Sequence, residues 1–113
     1  METKSAVTAL SALAQDSRLA IFRLLVQAGP AGLSAGKIGE ALGISPSSLT
    51  FHLKELMLGN LVSSKPEGRY VIYSANFEAM TALLAFLTEN CCGGKPCTPN
   101  PLPNCPAIED SPA

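Results

Sequence analysis

Apolar side chains recur every three to four residues along most of this chain, which is the spacing of an amphipathic α-helix. A first helix is predicted over residues 5–14 and a second over residues 16–28, with Asp16 as the cap of the second and a break at Gly29. The first helix carries Val7, Leu10 and Leu13 on one side. The second is expected to turn four apolar side chains inward: Leu19, Phe22, Leu25 and Val26.

The middle of the chain predicts two short helices joined by a tight turn. One covers residues 33–43, with Ser34 as its cap and Gly43 at its end. The other has Ser45 as its cap and Pro46 at its first position, where a missing N–H costs nothing, and it ends near residue 58. Three leucines form its apolar side: Leu49, Leu53 and Leu56. The opposite side presents a set that burial would not require: Ser47, Thr50, Phe51 and Lys54.

Two helices in this order form a helix-turn-helix, whose second helix enters the major groove of DNA with its N-terminal residues against the base edges. An ordinary helical hairpin is the alternative. His52, the single histidine, lies at the edge of the apolar side of the second helix. The favoured interpretation is a packed, hydrogen-bonded histidine, and the alternative is a contact to a DNA phosphate.

The apolar spacing changes from the helical period to alternation after Asn60, which indicates strands. Residues 61–65 and 69–74 predict a two-stranded hairpin around a turn at residues 66–68. After a helix-turn-helix such a hairpin is a wing. Lys65 and Arg69 flank the turn, where they can reach phosphates or the minor groove. Solvated charges without a partner are the alternative for these two residues.

Helical spacing returns over residues 76–90, and this last helix is broadly apolar. Its apolar side chains are Phe77, Met80, Leu83, Leu84, Phe86 and Leu87. One small domain does not cover that much apolar surface, so the last helix and the first are predicted to form a dimer interface. The predicted fold is therefore mainly α with a small β-hairpin, a winged helix-turn-helix that is homodimeric through the first and last helices.

Composition and charge refine this view only partly. The chain has 113 residues, 47% of them hydrophobic, and a net charge of −1, which is less basic than a dedicated DNA-binding protein usually is. The charge is unevenly spread: residues 34–74 hold four cations against three anions, and residues 75–113 hold one cation against four anions. Neither an export signal nor a membrane-spanning run is evident, so a cytoplasmic location is expected.

The composition changes abruptly after Asn90. Residues 91–113 contain six prolines and all four cysteines, so a division into a domain of residues 1–90 and a Cys- and Pro-rich tail of residues 91–113 is predicted. Cytosolic thiols stay reduced, which favours metal, metalloid or redox chemistry over a disulfide framework. The cysteines of the tail are Cys91, Cys92, Cys97 and Cys105.

Several motifs together carry a family resemblance. ALAQDSRLAIFRLL from Ala12, then ISPSSLTFHLKEL from Ile44, then GRYVIYS from Gly68 resemble the ArsR/SmtB family of metal- and metalloid-responsive repressors over residues 5–90. The resemblance implies a dimer that occupies an operator with an inverted repeat and leaves it when an ion binds. Carried over by position, the DNA contacts are Ser45, Ser47, Ser48, Thr50, Phe51 and Arg69.

The inducer sites best known in that family are missing from this chain. Arsenic-responsive members have a Cys-x-Cys pair where this chain has Ser34 and its neighbours, and zinc-responsive members have histidines on the last helix, where this chain has none. The adjacent Cys91 and Cys92 instead resemble the site of a subgroup that binds trivalent arsenic through C-terminal cysteines.

The chemistry of the tail agrees with that subgroup. Three soft thiolates suit trivalent arsenic or antimony, whereas an adjacent pair suits neither a tetrahedral zinc site nor a disulfide. Cys97 is expected to be the third ligand, because the shorter loop favours it over Cys105 by ~0.8 kcal/mol of closure entropy. The expected site is therefore Cys91, Cys92 and Cys97, with Cys105 as the alternative to Cys97.

Three other functions compete with this hypothesis. The same repressor can respond to cadmium, lead or organoarsenicals, the last through Cys91 and Cys92 alone. It can also be a redox sensor in which Cys97 and Cys105 pair with the other thiols on oxidation. A thiol-dependent arsenate reductase is the enzymatic alternative, but no phosphate-binding loop or acid–base pair accompanies the cysteines.

Overall fold

A computed structural model of the protein describes residues 1–90; the tail of residues 91–113, with its four cysteines, lies outside the described residues. The described part contains five helices and three strands. In chain order these are α1 (Thr3–Leu13), α2 (Asp16–Ala28), β1 (Leu33–Ser34), α3 (Ala35–Leu42), α4 (Pro46–Leu58), β2 (Val62–Glu67), β3 (Tyr70–Ala75) and α5 (Phe77–Leu87). Among residues 1–90, no helix combines the length and the hydropathy that crossing a bilayer requires.

Helices α3 and α4 form the predicted helix-turn-helix. The Ser34 hydroxyl accepts a hydrogen bond from the backbone N–H of Lys37 at 3.3 Å, which caps α3 as predicted. Gly43 ends α3 in the left-handed conformation, with φ of 67°, where a residue without a Cβ is favoured. Ser45 precedes α4 in extended backbone, but its side chain makes no capping hydrogen bond, so that part of the prediction was wrong. Pro46 at the first position starts the helix without it.

The wing is larger than the predicted hairpin. Strand β3 lies in the middle of a three-stranded antiparallel sheet of order β1-β3-β2, and the two-residue strand β1 was not predicted. The hairpin turn is also tighter than expected, because Glu67 pairs with Tyr70 and only Gly68 and Arg69 remain between the strands. Pro66 belongs to β2 rather than to the turn, which an edge strand tolerates because one side of its backbone needs no partner.

Strand β3 approaches the backbone very closely at Gly32, in the loop between α2 and β1. This glycine has φ of 70°, and a Cβ at its position would overlap the backbone carbonyl of Tyr73. The close approach therefore requires glycine in the loop that leads into β1.

The core lies where α2, α3, α4 and the first residue pair of the wing meet. Its fully buried side chains are Ile21, Leu25, Ile38, Leu53, Leu56 and Leu61. Leu49 is also buried, so the whole predicted apolar side of α4 faces the core. Helix α1 approaches through small side chains, namely Ala6, Ala9 and Ala12.

Two predictions for α2 were wrong. Leu19 is 45% exposed, and Ile21, which was not expected to face inward, is fully buried. The cap is Gln15, whose side chain accepts the backbone N–H of Arg18, and Asp16 is the first helical residue instead. Val26 is only half-buried, whereas Phe22 and Leu25 are buried as predicted.

Helix α5 is shorter than predicted and is fixed at its beginning. It ends at Leu87 rather than at residue 90. Asn76 caps it by accepting the backbone N–H of Ala79 at 3.1 Å, and the Asn76 side-chain amide donates to the backbone carbonyl of Asn60 at 3.1 Å. A single side chain thus joins the start of α5 to the turn that follows α4.

Candidate nucleic-acid interface

The outer side of α4 presents the side chains that the sequence predicted to lie opposite its leucines. Leucines hold the opposite side of the helix in the core, so α4 cannot rotate without exposing them. Five predicted contact residues are exposed along the outer side: Ser47, Ser48, Thr50, Phe51 and Lys54. Phe51 is 54% exposed, so about half of this aromatic side chain remains in solvent instead of packing in the core. The result is a surface of short hydroxyls, one ring and one cation.

The hydroxyl groups of this surface are suited to reading polar edges. The Thr50 hydroxyl donates to the backbone carbonyl of Pro46 at 2.9 Å, which leaves its oxygen lone pairs free to accept a hydrogen bond from outside. Ser45 is also exposed, immediately before the first turn of the helix. Short side chains at the start of a helix permit close approach of the helix to a groove.

The wing carries the two predicted cations. Lys65 lies on β2 opposite Ile72, and Arg69 occupies the two-residue turn at the tip. Both side chains are exposed. Tyr70, which follows Arg69, is 67% exposed and was not among the predicted contact residues. Exposed tyrosine beside arginine at a wing tip combines a cation with an amphipathic ring.

His52 is half-buried and lies between α4 and α2. Arg18 approaches it, with 3.5 Å between the arginine Nη1 and the histidine Nδ1. The Phe51 ring stands edge-on to the imidazole, with 5.6 Å between the ring centroids. This environment favours the packed, hydrogen-bonded interpretation over the phosphate contact.

Sequence reasoning missed Arg18. Its guanidinium Nε donates to the backbone carbonyl of Ala12 at 2.7 Å, and its Nη1 faces His52. The available signal was the Arg within the DSRL motif at the start of the second helix, but a contact with a residue 34 positions away leaves no local pattern.

Ligands for a metal ion are not gathered in the described residues. Among residues 1–90, no group of three or more His, Cys, Asp and Glu side chains lies close enough together to hold an ion. The predicted ligands Cys91, Cys92 and Cys97, and the alternative Cys105, lie outside the described residues.

Comparisons with known proteins agree with this geometry. A family model described as a helix-turn-helix domain matches residues 13–64. The arsenical resistance operon repressor of Bacillus subtilis is 33% identical over 72% of this chain and 73% of its own length. An ArsR-like transcriptional regulator from Rhodococcus sp. RHA1 superposes with a TM-score of 0.67 at 26% identity, covering 77% of this chain and 78% of that one.

The chain belongs to the ArsR family of transcriptional regulators.

Other proteins to which the chain is similar have different names. The regulator YgaV of Escherichia coli is 30% identical over 79% of this chain and 88% of its own length. HlyU from Vibrio cholerae superposes with a TM-score of 0.60 at 34% identity, covering 77% of this chain and 97% of that one. The nodulation protein NolR of Rhizobium meliloti is 32% identical over 71% of this chain, and the chain spans 63% of NolR.

These findings confirm the winged helix-turn-helix and the regulator class. A homodimeric winged helix-turn-helix domain from Mycobacterium bovis shares the fold, with a TM-score of 0.62. As a DNA-binding regulator the chain is not an enzyme, and the arsenate reductase hypothesis is therefore wrong.

Proposed function

We propose that this chain represses an arsenic-resistance operon by binding operator DNA as a homodimer, and that trivalent arsenic or antimony releases it. The observation that carries the proposal is the exposed polar side of α4 beside a wing with two cations. The similarity to a repressor named for an arsenical resistance operon supports the choice of operon.

In this proposal α4 enters the major groove. Thr50 and Phe51, with Ser45, Ser47 and Ser48 near the start of the helix, face the base edges, and their lone pairs and apolar groups suit N–H donors and thymine methyl groups. Lys54, Lys65 and Arg69 neutralise phosphates on either side of the groove. Three such contacts per protomer give binding that weakens as salt rises.

A dimer follows from the apolar surface that the protomer leaves uncovered. Val7 and Leu10 on α1 are 55% and 41% exposed, and Leu84 and Leu87 on α5 are 37% and 54% exposed. Helices α1 and α5 contact each other, so one partner could cover these four side chains together, and such an exposed apolar patch marks a protein contact. A second copy would cover them, and its two-fold symmetry would match an inverted repeat.

The inducer site is proposed in the tail of residues 91–113, as a unit distinct from the domain of residues 1–90. Thiolates of Cys91, Cys92 and Cys97 would surround one trivalent arsenic or antimony atom, since soft sulfur ligands select soft ions. The thiols must be reduced and deprotonated to bind, which agrees with action in the cytoplasm.

Inducer binding in the tail could change the position of α4 through the contacts of α5. The tail begins three residues after α5, while the start of α5 is joined to the end of α4 through Asn76 and Asn60. The backbone N–H of Asn76 also donates to the carbonyl of Leu61 at 2.8 Å. Repacking of α5 on inducer binding would therefore move the end of α4, and a coupling of about 1–3 kcal/mol per site is the usual scale for such an effect.

Fluorescence anisotropy tests the proposal with the full reduced chain on its own promoter DNA. Arsenite is expected to release the DNA at one equivalent per protomer, and a Cys91→Ser, Cys92→Ser variant is expected to bind DNA normally and stay bound. A Cys105→Ser variant should release like the wild type, and a Cys97→Ser variant should not. Normal release of the double variant would contradict the proposed site.

Thiol oxidation is the second candidate signal. One of the solved relatives is the reduced form of HlyU from Vibrio cholerae, at 29% identity. A parallel titration with peroxide in place of arsenite distinguishes thiol oxidation from arsenic binding. Release by peroxide, with Cys105 required and arsenite inactive, would favour the redox sensor; cadmium and lead arms test the remaining metals.

A further inference from the structure

The side chain of Arg18 connects three helices, namely α1, α2 and α4. It originates near the start of α2, its Nε donates to the carbonyl of Ala12 at 2.7 Å near the end of α1, and its Nη1 lies 3.5 Å from Nδ1 of His52 on α4. Both Arg18 and His52 are half-buried. A planar guanidinium presents its donors in a fixed fork that can serve two acceptors at once, whereas the ammonium of lysine is a compact charge on a flexible stem.

We infer that Arg18 is a positioning residue for DNA binding, which holds α4 through His52 in a fixed orientation to the end of α1. The inference rests on the proposed function in one respect, namely that α4 carries the DNA contacts. His52 follows Phe51 directly, and the two rings touch edge-on, so a displaced imidazole would also displace an exposed contact residue.

The geometry fixes the roles of the two ring nitrogens. Arginine only donates hydrogen bonds, so Nδ1 of His52 must be the acceptor and the proton of the neutral ring must be on Nε2. The Arg18 contact therefore requires a free lone pair on Nδ1. Because His52 is the only histidine in the chain, a nitrogen-15 correlation spectrum of the tag-free protein reports this ring alone.

The first experiment measures that tautomer in the wild type and in Arg18→Met. The wild-type ring is expected to be the Nε2–H form, with an Nδ1 shift that moves when the arginine donor is removed. A ring with its proton on Nδ1, or an Nδ1 shift unchanged in Arg18→Met, would overturn the inference without reference to DNA.

The second experiment measures promoter binding by Arg18→Met and by Arg18→Lys, which keeps the charge. Both are expected to lose about 5- to 10-fold in affinity, the scale of one ordinary hydrogen bond, with an unchanged dependence on salt. Arg23→Met is the matched control, because Arg23 is exposed on the same helix. A shallower salt dependence for Arg18→Met, with full rescue by lysine, would instead identify a direct phosphate contact and overturn the positioning role.

Variants of His52 complete a double-mutant cycle with Arg18. His52→Asn keeps an acceptor near the position of Nδ1 and is expected to bind DNA nearly as well as the wild type, whereas His52→Leu should lose as much as Arg18→Met. The double variant Arg18→Met, His52→Leu should lose little more than either single variant. Additive losses would overturn the inference, while failure of the wild type itself to bind its promoter would overturn the proposed function.

Discussion

Helices α4 and α5 lie at two surfaces of the same small domain, and each buries one side and exposes the other. Over residues 47–54 the exposed side chains of α4 are hydroxyls, one ring and one cation, whereas the exposed part of α5 includes Leu84 and Leu87. Polar groups that are already solvated suit a partner that offers hydrogen bonds, such as the edges of base pairs. Exposed leucines suit a partner that removes them from water. The difference predicts DNA at α4 and protein at α5.

The largest effect is expected on the inner side of α4. Leu53→Ala removes a side chain that is 2% exposed and leaves a cavity, so it should lower the free energy of unfolding by about 2–5 kcal/mol. Urea denaturation at a fixed protein concentration measures this. Leu58→Ala on the same helix, where the leucine is 68% exposed, is the matched control and should change stability by less than about 0.5 kcal/mol. Equal losses would show that α4 is not packed as described.

The sequence predicted the inner side of α4 correctly because polar residues separate Leu49, Leu53 and Leu56, so only one side of the helix can be the buried one. Helix α2 was harder, since its apolar residues are so dense that the period cannot decide whether Leu19 or Ile21 faces inward. Packing of α2 against the rest of the core decides it. Gln15 and Asp16 can both serve as caps, and the choice between them also depends on tertiary contacts.

Pairings between distant residues could not be predicted in the same way. Strand β1 has two residues and exists only because β3 pairs with it. The Arg18 contact with His52 joins positions 34 residues apart. By contrast, Ser34 and Gly43 were predicted as the two ends of one helix from local chemistry, and each occupies its expected cap position.

The next effect concerns the outer side of α4. Thr50→Glu places a carboxylate on the exposed surface, where phosphates and base acceptors would repel it, and promoter affinity should fall about 100-fold, or about 3 kcal/mol. Gln27→Glu adds the same charge to an exposed position on α2 and should have little effect. Anisotropy measures both variants. Equal binding by the two would place the DNA contact elsewhere.

A smaller effect is expected at α5. Leu87→Asp puts a charge where a second copy should cover a leucine, so the dimer dissociation constant should rise by about 10-fold or more. Leu19→Asp is the control, because Leu19 is similarly exposed but lies on α2. Sedimentation equilibrium gives the constant. If Leu19→Asp weakens the dimer and Leu87→Asp does not, the proposed interface is wrong.

The smallest effect is expected for a single cation. Lys54→Gln should weaken promoter binding several-fold, by roughly 1 kcal/mol, and should lower the slope of log affinity against log salt by about 1. The measurement is a salt titration of the wild type and the variant in parallel. A reduced affinity with an unchanged slope would mean that Lys54 does not contact a phosphate.

Hydrogen–deuterium exchange of the full reduced chain, with and without its promoter DNA, tests most directly whether α4 contacts DNA and α5 contacts protein. The account predicts new protection at residues 45–54 and at the wing tip around Arg69, greater than with unrelated DNA of equal length, and none at α5, which the proposed dimer would already cover. Protection at α5 with none at residues 45–54 would contradict it.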